Sequence, residues 1–272
     1  DRWEAFDLAS LGFAFVAFLV ILLRKEFEIS RNLGASAIVL GLAFLCLPKL
    51  IFGSAYADMR LLPYVWLVLF LAIRPAAGAG VRAMTILALA GLAFLGVRLA
   101  GHTASYVLYD RLHDRTLAML DKVPRGARLL TFVGRQAGIP WYTDRQEHLP
   151  AMAIVRREAF SNDQWVAKGA QLLSIRKSDA RGFDRDPTQL MKPLGERREP
   201  WHIPVTALKL FPRSAFDYLW LVTPQPYDPA LIADLELVAR NGRDSLWRIP
   251  PAVQPATANS DMPKGSGTLP RR

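Results

Sequence analysis

Residues 8–23 read LASLGFAFVAFLVILL, an uncharged run closed by Asp7 on one side and by Arg24 and Lys25 on the other. In a helix rising about 1.5 Å per residue, such a run nearly crosses a hydrocarbon core of roughly 30 Å. The chain is therefore expected to begin in a membrane, and the residues that follow repeat the pattern. Residues 33–52 (LGASAIVLGLAFLCLPKLIF) are long enough to span, with Lys49 near one end, where its aliphatic stem can carry the charge outward. Residues 61–73 (LLPYVWLVLFLAI) form a shorter run, with Pro63 in what would be the first turn and with Arg60 and Arg74 as flanking anchors. Residues 84–99 complete a set of four expected spans, and Ala88, Ala90, Gly91, Ala93 and Gly96 are small enough to let neighbouring helices approach closely.

The loops between these runs carry an uneven charge. Arg24, Lys25 and Arg31 lie between spans one and two, and Arg74 and Arg82 between spans three and four, whereas the intervening loop has only Arg60. Since Lys and Arg favour the cytoplasmic side, loops one and three are expected there, and everything after span four is expected outside the cytoplasm, in the periplasm of a Gram-negative cell. With spans counted one by one, loss of the short third span would invert this orientation.

Past Gly101 the composition changes. Charges, prolines and tryptophans spread through the remaining sequence, so the 51% hydrophobic content and mean hydropathy of +0.15 average two unlike parts. A net charge of +10 with a pI near 10.0 raises nucleic acid as a partner, but the basic residues are interspersed with acids and much of the chain is apolar. Attraction to anionic lipid head groups is the simpler reading, and no nucleic-acid partner is expected. Cys46 is the only cysteine, which excludes an intramolecular disulfide and a Cys-based metal site. Residues 1–7 begin with Asp and lack a basic segment and a small-residue cleavage site, so they do not read as a signal peptide, and a processed chain or a fragment is expected.

In the second part, residues 105–123 space Leu108, Leu112, Met119, Leu120 and Val123 helically, and Pro124-Arg125-Gly126 ends that helix. Residues 128–133 (RLLTFV), 171–175 and 216–222 (FDYLWLV) have strand length and apolar character. Residues 227–242 read as a helix capped by Asp228 and Pro229, with Leu231, Ile232, Leu235, Val238 and Ala239 on one face and Gly242 at its end. A strand at 245–249 would follow, giving a parallel crossover and a small α/β domain of about three to five strands. Residues 178–204, charged and proline-rich, read as a long loop, and the segment beyond Ile249 is expected to be disordered. The resulting division is a membrane region at 1–101, an α/β domain at 102–250 and a tail at 251–272.

Catalytic signatures are few. The sequence holds no phosphate-binding glycine loop, no HExxH, no paired CxxC and no nucleophile elbow, and Gly78-Ala79-Gly80 follows no expected strand. His102, His113, His148 and His202 lie at no metal-ligand spacing, so structural or surface roles are expected for all four, with no metal and no cofactor. Residues 53–63 (GSAYADMRLLP) stand apart, because they place Tyr56, Asp58 and Arg60 directly before an apolar run. Ionisable groups at that depth are costly without partners, and an Arg offers a forked, permanently charged donor set suited to a lipid phosphate. The alternative is that Arg60 only anchors the helix end and pairs with Asp58.

The succession Asp58, Arg60, Leu61, Leu62, Pro63 opening a late span resembles polytopic GT-C-fold glycosyltransferases of bacterial envelopes. The segments VPRGARLL, HLPAMAIVRREAF and FDYLWLV are similar to the C-terminal end of such proteins. The resemblance implies transfer of a sugar from a polyprenyl-phosphate donor outside the cytoplasm. It also implies that Arg60, with Asp58 and Tyr56, lies close to the donor phosphate. The catalytic acid of that family lies in a loop after its first span, and only residues 1–7 precede the first run here, so the catalytic residues are expected upstream and none is assigned. The expectation is thus an α-helical membrane bundle of about four transmembrane helices followed by a small extracytoplasmic α/β domain, the C-terminal part of a membrane glycosyltransferase in the inner membrane. A non-catalytic membrane-anchored domain, or an assembly subunit of an envelope polysaccharide system, is the alternative.

Overall fold

A computed structural model describes residues 3–51, 54–135, 146–166, 172–192 and 199–251, and the tail expected to be disordered lies outside them. The described residues fall into two compact units. One holds residues up to Thr116 together with Val166 and residues 172–174, and the other holds the rest.

The first unit runs α1 (Glu4–Leu23), β1 (Phe27–Ile29), α2 (Arg31–Cys46), β2 (Leu50–Ile51), β3 (Ser54–Ala55), α3 (Leu62–Leu71), β4 (Ile73–Pro75) and α4 (Val81–Leu117). Among the described residues two helices, not four, are long and apolar enough to cross a membrane: α1, and α4 with the 3-10 turn that continues it to Lys122. The second and third expected spans are helices of 16 and 10 residues, about 24 and 15 Å long, both short of a hydrocarbon core of roughly 30 Å. Pro48, between α2 and β2, cannot continue a helix, and residues 54–61 fold as a strand and turn before α3 begins. The two helices expected at 84–99 and 105–123 are instead one continuous helix. The glycine at 101 does not break it, and a side chain there would meet the ring of Phe6, which lies against that position.

α2 and α3 pack side by side, and the excursion they make closes where it opened. β1 pairs antiparallel with β4, Phe27 opposite Pro75 and Ile29 opposite Ile73, and the amide of Ser30 bonds the carbonyl of Ala72 at 2.8 Å. Arg24, Lys25, Arg31, Arg74 and Arg82 are therefore gathered around one end of this unit, with Arg74 paired to Glu28 at 3.2 Å. Aromatic side chains join the helices: Phe13 stacks on Phe94 of α4 at 5.3 Å, and Phe18 meets Trp66 and Phe70 of α3 edge-on. Near the start of α1, Arg98 donates to Asp7 at 2.7 Å and to Ser10 at 3.1 Å. Leu11, Phe15, Val16, Leu89, Leu92 and Leu95 remain exposed, an apolar surface suited to lipid rather than to water.

The second unit contains β5 (Arg128–Gly134), α5 (Met152–Arg157), β6 (Phe160–Ser161), β7 (Leu190–Met191), α6 (Pro204–Leu210), β8 (Tyr218–Val222), β9 (Glu236–Asn241) and β10 (Asp244–Arg248). These strands make one mixed six-stranded sheet in the order β6-β5-β8-β10-β9, with β7 also on β5. β5 is parallel to β6, β7 and β8, while β10 runs antiparallel to β8 and β9. Both faces of the central strands are covered. Leu130, Phe132, Leu219 and Leu221 enter one core with Leu208, Phe211 and Phe216, and Leu129, Val133, Trp220 and Val222 enter another with Met119, Leu120 and Leu246. Burial on both faces explains why RLLTFV and YLWLV are unbroken apolar runs and not alternating ones.

Two expected elements are replaced. The helix at 227–242 stops after one 3-10 turn (Pro229–Ile232), which Asp228 caps through the amide of Ala230 at 2.9 Å, and β9 follows. The expected parallel crossover is therefore an antiparallel hairpin, with Gly242 at φ 58 at the first position of its two-residue turn. The expected strand at 171–175 is irregular where described, and Leu172 and Leu173 are exposed. The long loop at 178–204 instead supplies β7, and the parallel pairings reside on β5.

Candidate functional site

The residues singled out in the membrane unit lie in the turn before α3. Tyr56 is exposed in a left-handed conformation (φ 59), Arg60 is exposed, and the amide of Leu61 bonds the carbonyl of Asp58 at 3.0 Å. Among the described residues no ion pair joins Asp58 to Arg60, and Oδ1 of Asp58 is buried with no hydrogen-bond partner. The structure thus keeps the three close in the chain while leaving the guanidinium of Arg60 unengaged by Asp58.

A second site, in the α/β unit, was not legible in the sequence. It starts at the edge of β5, where β6 pairs with Arg128 and Leu129, and β7 pairs with Val133 and Gly134. The gap between them is filled by a side chain: Asn162 accepts from the amide of Thr131 at 2.8 Å and donates to the carbonyl of Thr131 at 3.0 Å, continuing the ladder where no strand is present. That pairing fixes the next residue, Asp163, just past the carboxyl end of β6. Ligand sites of open α/β sheets gather outside the carboxyl ends of parallel strands.

The side chain of Asp163 is 3% exposed and both its oxygens accept hydrogen bonds. Oδ1 accepts from Nδ1 of His148 at 2.9 Å and from Nε2 of Gln189 at 3.1 Å, and Oδ2 accepts from the amide of Ala151 at 3.0 Å. Gln189 precedes β7 and is completely buried; its Nε2 also donates to Oδ1 of Asp186 at 2.5 Å, while its Oε1 has no partner. His148 stands mostly exposed (side chain 65%) at the entrance to α5. Its hydrogen bond to Asp163, aided by the charges of Asp163, Asp186 and Glu147 and opposed by burial, raises its pKa to about 9. At neutral pH the imidazole is therefore a cation, oriented by a buried carboxylate and able to donate a proton or hold an anion. A ring nitrogen of His148 and an oxygen each from Asp163 and Asp186 also lie within 4.8 Å of one another, a set able to hold a metal ion.

The neighbouring backbone is strained. Thr223, directly after β8, is a β-branched residue at φ 40, and its hydroxyl bonds Oε1 of Gln146 at 3.1 Å, two residues before His148. Gly134 lies so close to the Thr223 carbonyl that a side chain there would overlap it. His148 is on the surface, as expected of all four histidines, but it stands beside two carboxylates that its spacing in the chain does not announce. Its partners come from segments separated irregularly along the chain, which no ligand-spacing motif describes. Comparison with known families, characterised proteins and solved structures finds no match for this chain.

Proposed function

We propose that this chain is the C-terminal part of an integral membrane glycosyltransferase that takes its sugar from a polyprenyl-phosphate donor on the periplasmic side, with the catalytic acid supplied from upstream. The observation that carries the reading is Arg60, exposed at the mouth of an apolar helix and not neutralised by Asp58. In sugar transfer from such a donor, a carboxylate activates the acceptor hydroxyl while cationic groups stabilise the departing phosphate. Arg60 has the charge and forked geometry for the second role, with Tyr56 and Asp58 beside it.

The orientation is supported by the β1–β4 pair. Because α2 and α3 leave and return at that pair, the C-terminal end of α1 and the N-terminal end of α4 share one side whether or not the α2–α3 excursion crosses the membrane. The cations gathered there favour the cytoplasm, which supports a periplasmic side for the far end of α4 and the residues after it. The pairing of β1 with β4 thus argues against an inversion by loss of the third span alone.

The test is transfer from a polyprenyl-phosphate sugar by purified full-length protein. Arg60→Lys should retain part of the activity, because charge remains but the bidentate geometry is lost, and Arg60→Ala should retain least, with protein levels unchanged. Equal activity of wild type and Arg60→Lys would reduce Arg60 to an interfacial anchor and leave the anchored-domain or assembly-subunit reading ahead.

A further inference from the structure

We propose that His148, Asp163, Asp186 and Gln189 form a binding site for one divalent transition-metal ion, Zn2+ or Mn2+, in the α/β unit. The donor set is assembled without the ion: one imidazole nitrogen and two carboxylate oxygens lie within 4.8 Å of one another. Ligands at about 2.0–2.2 Å from a tetrahedral metal stand about 3.3–3.6 Å apart, so closing the set takes a shift of up to about an ångström. His148, mostly exposed, and Asp186, half-buried, have the freedom to make that shift.

Gln189 supplies the independent observation. Its amide is wholly buried, held between the two carboxylates through Nε2, and its Oε1 has no hydrogen-bond partner. A buried carbonyl oxygen left unpaired is costly. A half-turn of the amide, which exchanges Nε2 for Oε1 beside the two carboxylates, would give that oxygen a cation as its partner and complete a four-atom set of one nitrogen and three oxygens. The ion takes the place of the imidazole proton, and two carboxylates with the neutral imidazole then carry two negative charges, which one dication cancels. Asp163 is oriented as metal-binding carboxylates usually are, by the amide of Ala151 and by the anchoring of Asn162 on Thr131. The imidazole selects zinc or manganese over calcium and magnesium, whose preferred ligands are oxygens alone, and zinc is expected to bind more tightly than manganese.

The site is independent of Arg60 and of the glycosyltransferase reading. Its test uses the full-length chain in detergent, purified with a histidine-free tag, stripped with chelator and titrated calorimetrically with Zn2+, Mn2+, Mg2+ and Ca2+. Co2+ serves as a spectroscopic substitute for zinc. Wild type should bind one equivalent of Zn2+ with little response to Mg2+ or Ca2+, and Co2+ should give visible d–d bands. Asp186→Asn and His148→Gln should each weaken Zn2+ binding at least tenfold and remove the Co2+ bands, while Arg60→Ala leaves both unchanged. No stoichiometric Zn2+ or Mn2+ binding by wild type would overturn the proposal, whatever the variants do. Binding that persists undiminished in both folded variants would overturn it equally, by placing the ion elsewhere.

Discussion

The charge state of His148 has a consequence for stability that does not depend on any ligand. Asp163 raises the imidazole pKa to about 9, above the unfolded value near 6.5. The folded state therefore holds the proton more tightly, so the ion pair contributes fully below about pH 6.5, and its contribution is lost as pH rises through about 9. His148 is mostly exposed and solvent screens the pair, so the contribution is about 1 kcal/mol, well below the full shift. In the presence of chelator, the melting temperature of His148→Gln should lie below that of wild type at pH 6, and the two should converge above pH 9. A gap independent of pH would show that the pair does not titrate as described. None of this was legible from residue order: His148, Asp163, Asp186 and Gln189 are brought together only by the edge of β5. Arg60, by contrast, was legible because a charge beside an apolar run is a local signal.

Among the elements, the short ones escape the sequence and the long ones do not. β5 and β8 are continuous apolar runs and read as strands at once. β6 and β7 have two residues each, too few for any period to show, and exist because β5 offers them a partner. The stretch before β10 misleads in a different way: its apolar residues sit at helical spacing, but Gly242 at the first position of a two-residue turn favours a hairpin, and pairing with β10 decides for the strand. The edge of β5 also rests on one side chain. Replacing Asn162 with Ala would leave the amide and carbonyl of Thr131 buried without partners, at a cost of about 2–4 kcal/mol. Thermal unfolding of the full chain, followed by tryptophan fluorescence, should show a drop of several degrees in Asn162→Ala. A melting temperature equal to that of wild type would mean that β6 and β7 hold the edge without it.

For the whole molecule, composition alone announces an apolar first part and a polar second one with a change near Gly101, whereas the first compact unit runs on to Thr116 because α4 continues through that glycine. The count of spans was the weak point, because an apolar run does not report where Pro48 and the turn before α3 interrupt it. The β1–β4 pair turns that miscount into a matter of little consequence for orientation, since it ties the ends of α2 and α3 together. The proposed orientation puts the β1–β4 end in the cytoplasm and the residues after α4 in the periplasm. It is tested by single cysteines at Ser30 and at Ser178 in a chain whose exposed Cys46 has been replaced. A membrane-impermeant maleimide applied to spheroplasts should label Ser178→Cys and should reach Ser30→Cys only after the membrane is permeabilised. Labelling of Ser30→Cys alone in intact spheroplasts would contradict the account.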